Sequence, residues 1–109
     1  MVNYQASSLD QTFAALADPT RRAILSRLRS GRSATTDLAR PFRMSLPAIL
    51  KHLRVLEKAG LVQGEKRGRE RFYELRADRL GHAGAWLETY REFWDQQLDA
   101  LDQFLKESK

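Results

Sequence analysis

Residues 44–75 read MSLPAILKHLRVLEKAGLVQGEKRGRERFYEL, and a change of period inside this stretch decides the fold. Up to Ala59 the apolar residues Ile49, Leu53 and Leu56 recur at helical spacing, which predicts a helix over 46–59 with one inward face. Ser45 is suited to cap it, Pro47 is tolerated in its first turn, and Gly60 ends it. The opposite stripe, Pro47, Lys51, Arg54 and Lys58, is left to solvent or to a ligand. Beyond Gly60, residues 61–66 and 71–75 read as two short strands joined by Arg67-Gly68-Arg69-Glu70, where the glycine supplies the positive φ of a tight hairpin.

Toward the N-terminus, Ser7 or Ser8 can cap a first helix over 8–17, in which Leu9, Phe13, Leu16 and Ala17 share an apolar face. Asp18-Pro19 then reads as an N-cap followed by proline at the first helical position, opening a second helix that runs to about Arg29 with Ile24, Leu25 and Leu28 inward. Gly31 supplies its stop, and Thr35 or Thr36 starts a short third helix that ends before Pro41. Toward the C-terminus, Leu80, Ala83, Leu87, Tyr90, Trp94, Leu98, Leu101 and Leu105 repeat at three- and four-residue spacing, widened by Trp86, Phe93 and Phe104. They predict one long amphipathic helix over 78–106. The expected fold is therefore mainly α with a small two-stranded β-hairpin, in the order α-α-α-α-β-β-α. The whole chain, 1–109, is read as one domain, since its length suits a single core.

Charge is divided along the chain. Residues 21–71 carry net +10, the first twenty carry −2, and 72–109 carry −3, within an overall +5. An anionic partner is thus expected at the middle of the chain and a different task for the acidic tail. Cysteine is absent, which removes disulfides, thiolate ligands and cysteine nucleophiles, and fits a reducing cytoplasm. The N-terminus lacks the basic and apolar regions of a signal peptide, and no apolar run is long enough to cross a membrane. A cytoplasmic location without membrane insertion is the expectation.

Two short helices joined by a tight turn, followed by a basic hairpin, match the geometry in which a recognition helix enters a DNA major groove and a wing meets the backbone beside it. Four segments carry a closer likeness: ALADPTRRAIL at 15–25, MSLPA at 44–48, KHLRVLEKAGLV at 51–62 and GRERFYEL at 68–75. In this order they resemble the ArsR/SmtB family of winged helix-turn-helix repressors, over nearly the whole chain. The resemblance implies a regulator that binds double-stranded DNA at an inverted-repeat operator as a homodimer joined through its first and last helices. That implicates Leu9, Phe13 and Leu16 with Leu87, Tyr90, Trp94, Leu98, Leu101 and Leu105. Independently, the last helix carries more apolar and aromatic surface than so small a domain can cover, although an ordinary core helix would read the same way.

Within that frame the first turn at Ser45, Leu46 and Pro47, together with Lys51, is expected to read base edges, with Arg54 near phosphates or bases. His52 is either a DNA contact or a satisfied structural residue. Leu46, Pro47 and Leu50 are apolar where relatives of this type carry polar groups, and would meet thymine methyls. At the wing, Arg67 and Arg69 suit phosphates or a narrow minor groove, and Lys66 and Arg71 add phosphate attraction; Arg21, Arg22 and Arg43 cannot be ranked.

Many such repressors respond to metal through thiolates on the third helix or through Asp, His and Glu on the last. Residues 33–39 hold only hydroxyls and one carboxylate, and Asp78 and His82 lack a second histidine, so neither a metal nor another cofactor is expected. The inducing signal is left to an unidentified small molecule or partner protein. With two distant histidines, no cysteine and no glycine-rich phosphate loop, no catalytic set is present and the chain is read as a non-enzyme.

Overall fold

The structure is a computed structural model that describes the backbone of residues 4–107 and the side chains from residue 8 onward within that span. Its elements are α1 (Tyr4–Leu16), α2 (Pro19–Leu28), β1 (Ser33–Ala34), α3 (Thr35–Ala39), α4 (Leu46–Lys58), β2 (Val62–Arg67), β3 (Glu70–Leu75), α5 (Asp78–Glu88) and α6 (Arg91–Glu107). Ile24 and Leu28 of α2, Leu38 of α3 and Ile49, Leu53 and Leu56 of α4 meet Leu61, Val62 and Tyr73 in one continuous core. The inward residues expected of α2 and α4 are buried there.

Local signals fix the ends of the helices. Asp18 accepts from the Arg21 backbone N–H at 3.0 Å, and Pro19 follows at the start of α2. Ser45 caps α4 by accepting from the Ala48 N–H at 3.3 Å. At the other end of α4, Gly60 has φ +77°, its N–H bonds the Glu57 carbonyl, and the Leu61 N–H reaches back to the Leu56 carbonyl. This paired arrangement is a Schellman stop, sealed by burial of both Leu56 and Leu61. It sets the angle at which the chain leaves α4 for the hairpin. In the hairpin, Arg67 pairs with Glu70 around Gly68-Arg69, and only Gly68 has positive φ, the pattern of a type II′ turn.

Three expectations are corrected. The long helix over 78–106 is two helices. Thr89 turns its hydroxyl back onto the Trp86 carbonyl at 2.6 Å, and the Thr89 and Tyr90 N–H groups make short-range bonds to Trp86 and Leu87. These bonds close α5, and α6 starts afresh at Arg91. The hairpin is part of a three-stranded antiparallel sheet in the order β1-β3-β2, because Ser33 and Ala34 pair with Tyr73 and Phe72. Finally, α1 begins at Tyr4, so positions 7 and 8 lie inside it rather than at its N-cap.

α6 has no buried residue. It carries the structure outward, giving a radius of gyration of 18.6 Å, against about 13 Å for a compact chain of this length. Among the described residues no helix is long and apolar enough to cross a membrane.

Candidate nucleic-acid interface

Burial of Ile49, Leu53 and Leu56 turns Pro47, Lys51, Arg54 and Lys58 to the outside of α4. What then separates the cations of this chain is whether each already has a partner. Arg21 donates Nε to the Ala15 carbonyl at 2.7 Å and Nη2 to the Ala14 carbonyl at 3.1 Å, while Arg22 donates to the Leu16 carbonyl at 2.7 Å. Both satisfy the exposed carbonyl end of α1, where a helix favours positive charge. Arg27 bonds the Asp37 carbonyl, and Arg40 pairs with the Asp37 side chain. By contrast Arg29, Arg43, Lys51, Arg54, Lys58, Lys66 and Arg69 are exposed and make no such contact among the described residues. Apart from Arg29 at the end of α2, these unspent cations belong to the turn before α4, the outward face of α4 and the hairpin. The three arginines that sequence could not rank thus divide, with Arg43 free and Arg21 and Arg22 committed.

Other expected site residues have specific surroundings. Leu46 is 44% exposed at the tip of α4, beside Met44 at 40%. Val55, exposed on the same outward side as Lys51, is an apolar contact surface that the sequence reading passed over. Ser45 Oγ serves as the cap acceptor and keeps its O–H for another partner. Arg67 shares Glu65 with Arg32, each at 3.6 Å across exposed side chains. Such pairs contribute little and yield readily to a phosphate. Arg71 is held instead by Tyr73 and Glu57: Nε donates to the Tyr73 hydroxyl at 3.1 Å and Nη2 lies 3.5 Å from Glu57 Oε1. The Tyr73 hydroxyl first, and Glu57 after it, push the Arg71 pKa up and secure its charge.

His52 lies on the inner flank of α4, where Nδ1 is 3.3 Å from Arg21 Nη1 and 3.8 Å from Asp18 Oδ2. This ties α4 to the junction of α1 and α2. The Arg21 backbone N–H first, with His52 and the Arg21 charge adding to it, lowers the Asp18 pKa below the ordinary carboxylate value. A depressed carboxylate pKa stabilises the fold above the unfolded value, and that contribution disappears as pH falls through the folded value. Asp18→Ala is therefore expected to lower the thermal midpoint at neutral pH, with the gap to the native protein closing in acid. Melting curves across a pH series check this, and a gap that persisted at low pH would remove the charge from the explanation.

The residues expected at a dimer face fall in two groups. Leu9, Phe13 and Leu16 are half-buried on α1, which meets α5 through an edge contact of Phe13 with Trp86 at 5.6 Å. Leu87, Tyr90, Trp94, Leu98, Leu101 and Leu105 are each about half or more exposed, and Phe93 and Phe104 lie beside them. Together they leave a broad apolar face on α5 and α6. The α5 pair Asp78 and His82 opens onto different clefts: Asp78 with Glu57, Gln63 and Arg76, His82 with Leu9, Thr12 and Trp86. No group of three or more His, Cys, Asp or Glu side chains converges among the described residues, so this donor set does not fit a resident metal.

Comparison with known proteins accords with this geometry. A helix-turn-helix domain family matches residues 16–65, which hold α2 to α4 and most of β2. The HTH-type transcriptional regulator Rv2034 of Mycobacterium tuberculosis is 41% identical over 98 residues, covering 90% of this chain and 89% of that protein. The transcriptional repressor SdpR of Bacillus subtilis is 31% identical over 90 residues, covering 83% and 100%. The crystal structure of an ArsR family transcriptional regulator, RHA00566, superposes with a TM-score of 0.77 at 40% identity, over 87% of this chain and 97% of that one. These relatives are named as transcriptional regulators or repressors. With the core helices, the hairpin and nearly the full length shared, this chain belongs to the ArsR/SmtB family of winged helix-turn-helix transcriptional repressors.

Proposed function

We propose that the chain acts in the cytoplasm as a homodimer that grips the two halves of an inverted-repeat operator and so blocks transcription. α4 enters the major groove, with Lys51 and Arg54 on base edges or phosphates and Ser45, Leu46 and Pro47 at its leading turn. The wing follows the backbone with Arg69 at its tip, aided by Lys66 and by Arg67 once it leaves Glu65. Arg43 and Lys58 extend the same electrostatic track. His52 orients α4 from behind through Asp18 and Arg21. The apolar faces of α5 and α6, with Leu9, Phe13 and Leu16 of α1, join the two copies. Release from DNA is left to a small molecule or partner protein rather than to a metal.

One observation carries this reading. Six of the seven cations without a partner among the described residues lie on α4, the turn before it and the wing, the seventh being Arg29 at the end of α2, while arginines at the α1–α2 junction are consumed by carbonyls. Fluorescence anisotropy of labelled duplexes tests it, with random-sequence DNA compared against the region upstream of the coding sequence across a salt series. Binding should weaken steeply with salt, by about 0.9 in log–log slope for each phosphate neutralised. Arg69→Ala should weaken both duplexes alike and reduce the slope by that amount per bound protomer. Weak binding at low salt that is insensitive to ionic strength would defeat the proposal.

A further inference from the structure

Gly64 lies in the middle of β2, opposite Tyr73 in the register of the sheet. Its backbone has no positive φ, so conformational freedom does not explain a glycine here. Space does. A Cβ at this position would fall 2.8 Å from Tyr73 Cε1, 2.9 Å from Arg71 Nη2 and 2.9 Å from Glu57 Oε2. Three side chains therefore converge over the bare Cα: a nearly buried tyrosine from β3, an arginine from β3 and a carboxylate from α4. The guanidinium carbon stands 5.6 Å from the Tyr73 ring centre, Nε donates to its hydroxyl, and Nη2 reaches across to Glu57. This is the polar link between the wing and α4, next to the Leu61–Val62 part of the core.

Glu57 and His52 flank the buried stripe of Ile49, Leu53 and Leu56 on its two sides. His52 ties one flank of α4 to Asp18 and Arg21, and Glu57 ties the other to the wing. The base of the hairpin is held by pairing with β1 and by Leu61, Val62 and Tyr73 in the core; the Arg71–Glu57 contact adds a side-chain tie from the wing to α4, and so bears on the distance between the two proposed DNA-contacting surfaces.

We propose that Arg71 is a positioning residue: seated on Gly64 and Tyr73 and paired with Glu57, it braces the wing against the recognition helix and fixes the spacing of the two contact surfaces. This rests on the DNA-binding reading above. It departs from the simpler expectation that Arg71 adds one more phosphate contact. The two roles differ in salt dependence. A phosphate contact, when removed, reduces the salt slope. A brace, when removed, weakens binding without releasing fewer counterions. Glu57 separates the roles further, because deleting a carboxylate near DNA should tighten binding on electrostatic grounds alone.

The experiment measures anisotropy of the upstream and random-sequence duplexes with Arg71→Gln, Glu57→Ala, Gly64→Ala and the Arg71→Gln/Glu57→Ala double variant, beside native protein and Arg69→Ala. Circular dichroism melts establish that each is folded at the assay temperature; Glu57→Ala changes a half-exposed helical side chain and keeps the test available if another variant unfolds. Arg71→Gln, Glu57→Ala and Gly64→Ala should each bind the upstream duplex roughly fivefold more weakly, with an unchanged slope, and the double variant should be no weaker than Arg71→Gln. A reduced slope in Arg71→Gln, tighter or unaltered binding by Glu57→Ala, or additive losses in the double variant would each overturn the brace. Failure of the native protein to bind in a salt-sensitive way would instead sink the DNA-binding reading itself.

Discussion

Replacing Trp94 and Leu98 together by alanine is expected to convert the protein to a monomer and to lower its affinity for a duplex carrying both half-sites by about a hundredfold or more. Both side chains lie more than half exposed on α6, at 62% and 63%, along a helix that buries nothing against its own chain. A tryptophan in a closed interface buries roughly 150–250 Å², and in a two-fold interface the loss counts twice. Much of the operator affinity of a dimer comes from the second half-site being offered at high effective concentration, which a monomer forgoes. Sedimentation of the variant, followed by anisotropy on duplexes with one and two half-sites, checks both steps. A variant that remained dimeric with full affinity would move the interface away from α6.

Leu53→Ala is expected to destabilise the fold by about 3 kcal/mol, a large part of the roughly 5–15 kcal/mol available to a domain of this kind. Leu53 is fully buried in the cluster shared by α2, α3, α4 and the sheet. Truncation there removes apolar contacts and leaves a cavity that packed neighbours cannot fill. Its neighbour Arg54 is exposed and has no partner among the described residues. Arg54→Ala should therefore leave stability within about 0.5 kcal/mol while weakening DNA binding. Urea titration and anisotropy on the two variants should give opposite profiles. Equal stability losses would show that the two faces of α4 are not divided as the burial pattern implies.

Much of this division is legible in the sequence. The spacing of Ile49, Leu53 and Leu56 identifies the inner face of α4, and Ser45 and Gly60 mark its ends. Asp18-Pro19 does the same for the start of α2. These capping and stop signals are local, involving groups within a few residues, and held at Asp18, Ser45 and Gly60, though not at positions 7 and 8, which α1 overruns. β1 gave no such signal, because two residues carry no period and pair only once β3 has been delivered from far along the chain. The break at Thr89 was equally silent. No glycine or proline announces it, the apolar repeat runs through it, and it depends on a hydroxyl choosing a backbone carbonyl.

For the site, sequence placed the positive charge in the middle of the chain and named most of the exposed cations, since charge type and helical spacing are properties of the chain itself. It could not tell a free cation from a spent one. Arg21, Arg22, Arg43 and Arg71 are the same residue type, yet carbonyls at the end of α1 take the first two, Glu57 and Tyr73 take the last, and Arg43 alone is left open. Apart from Tyr73, two residues further along β3, those partners lie six to fourteen residues away, and no local pattern encodes them. By itself the sequence determined the helices of the core, the basic hairpin and the family, because periodicity, capping and motif order are written in neighbouring residues. The tertiary structure alone decided which charges remain available and how α6 leaves the body, because both depend on groups that folding brings together from distant parts of the chain.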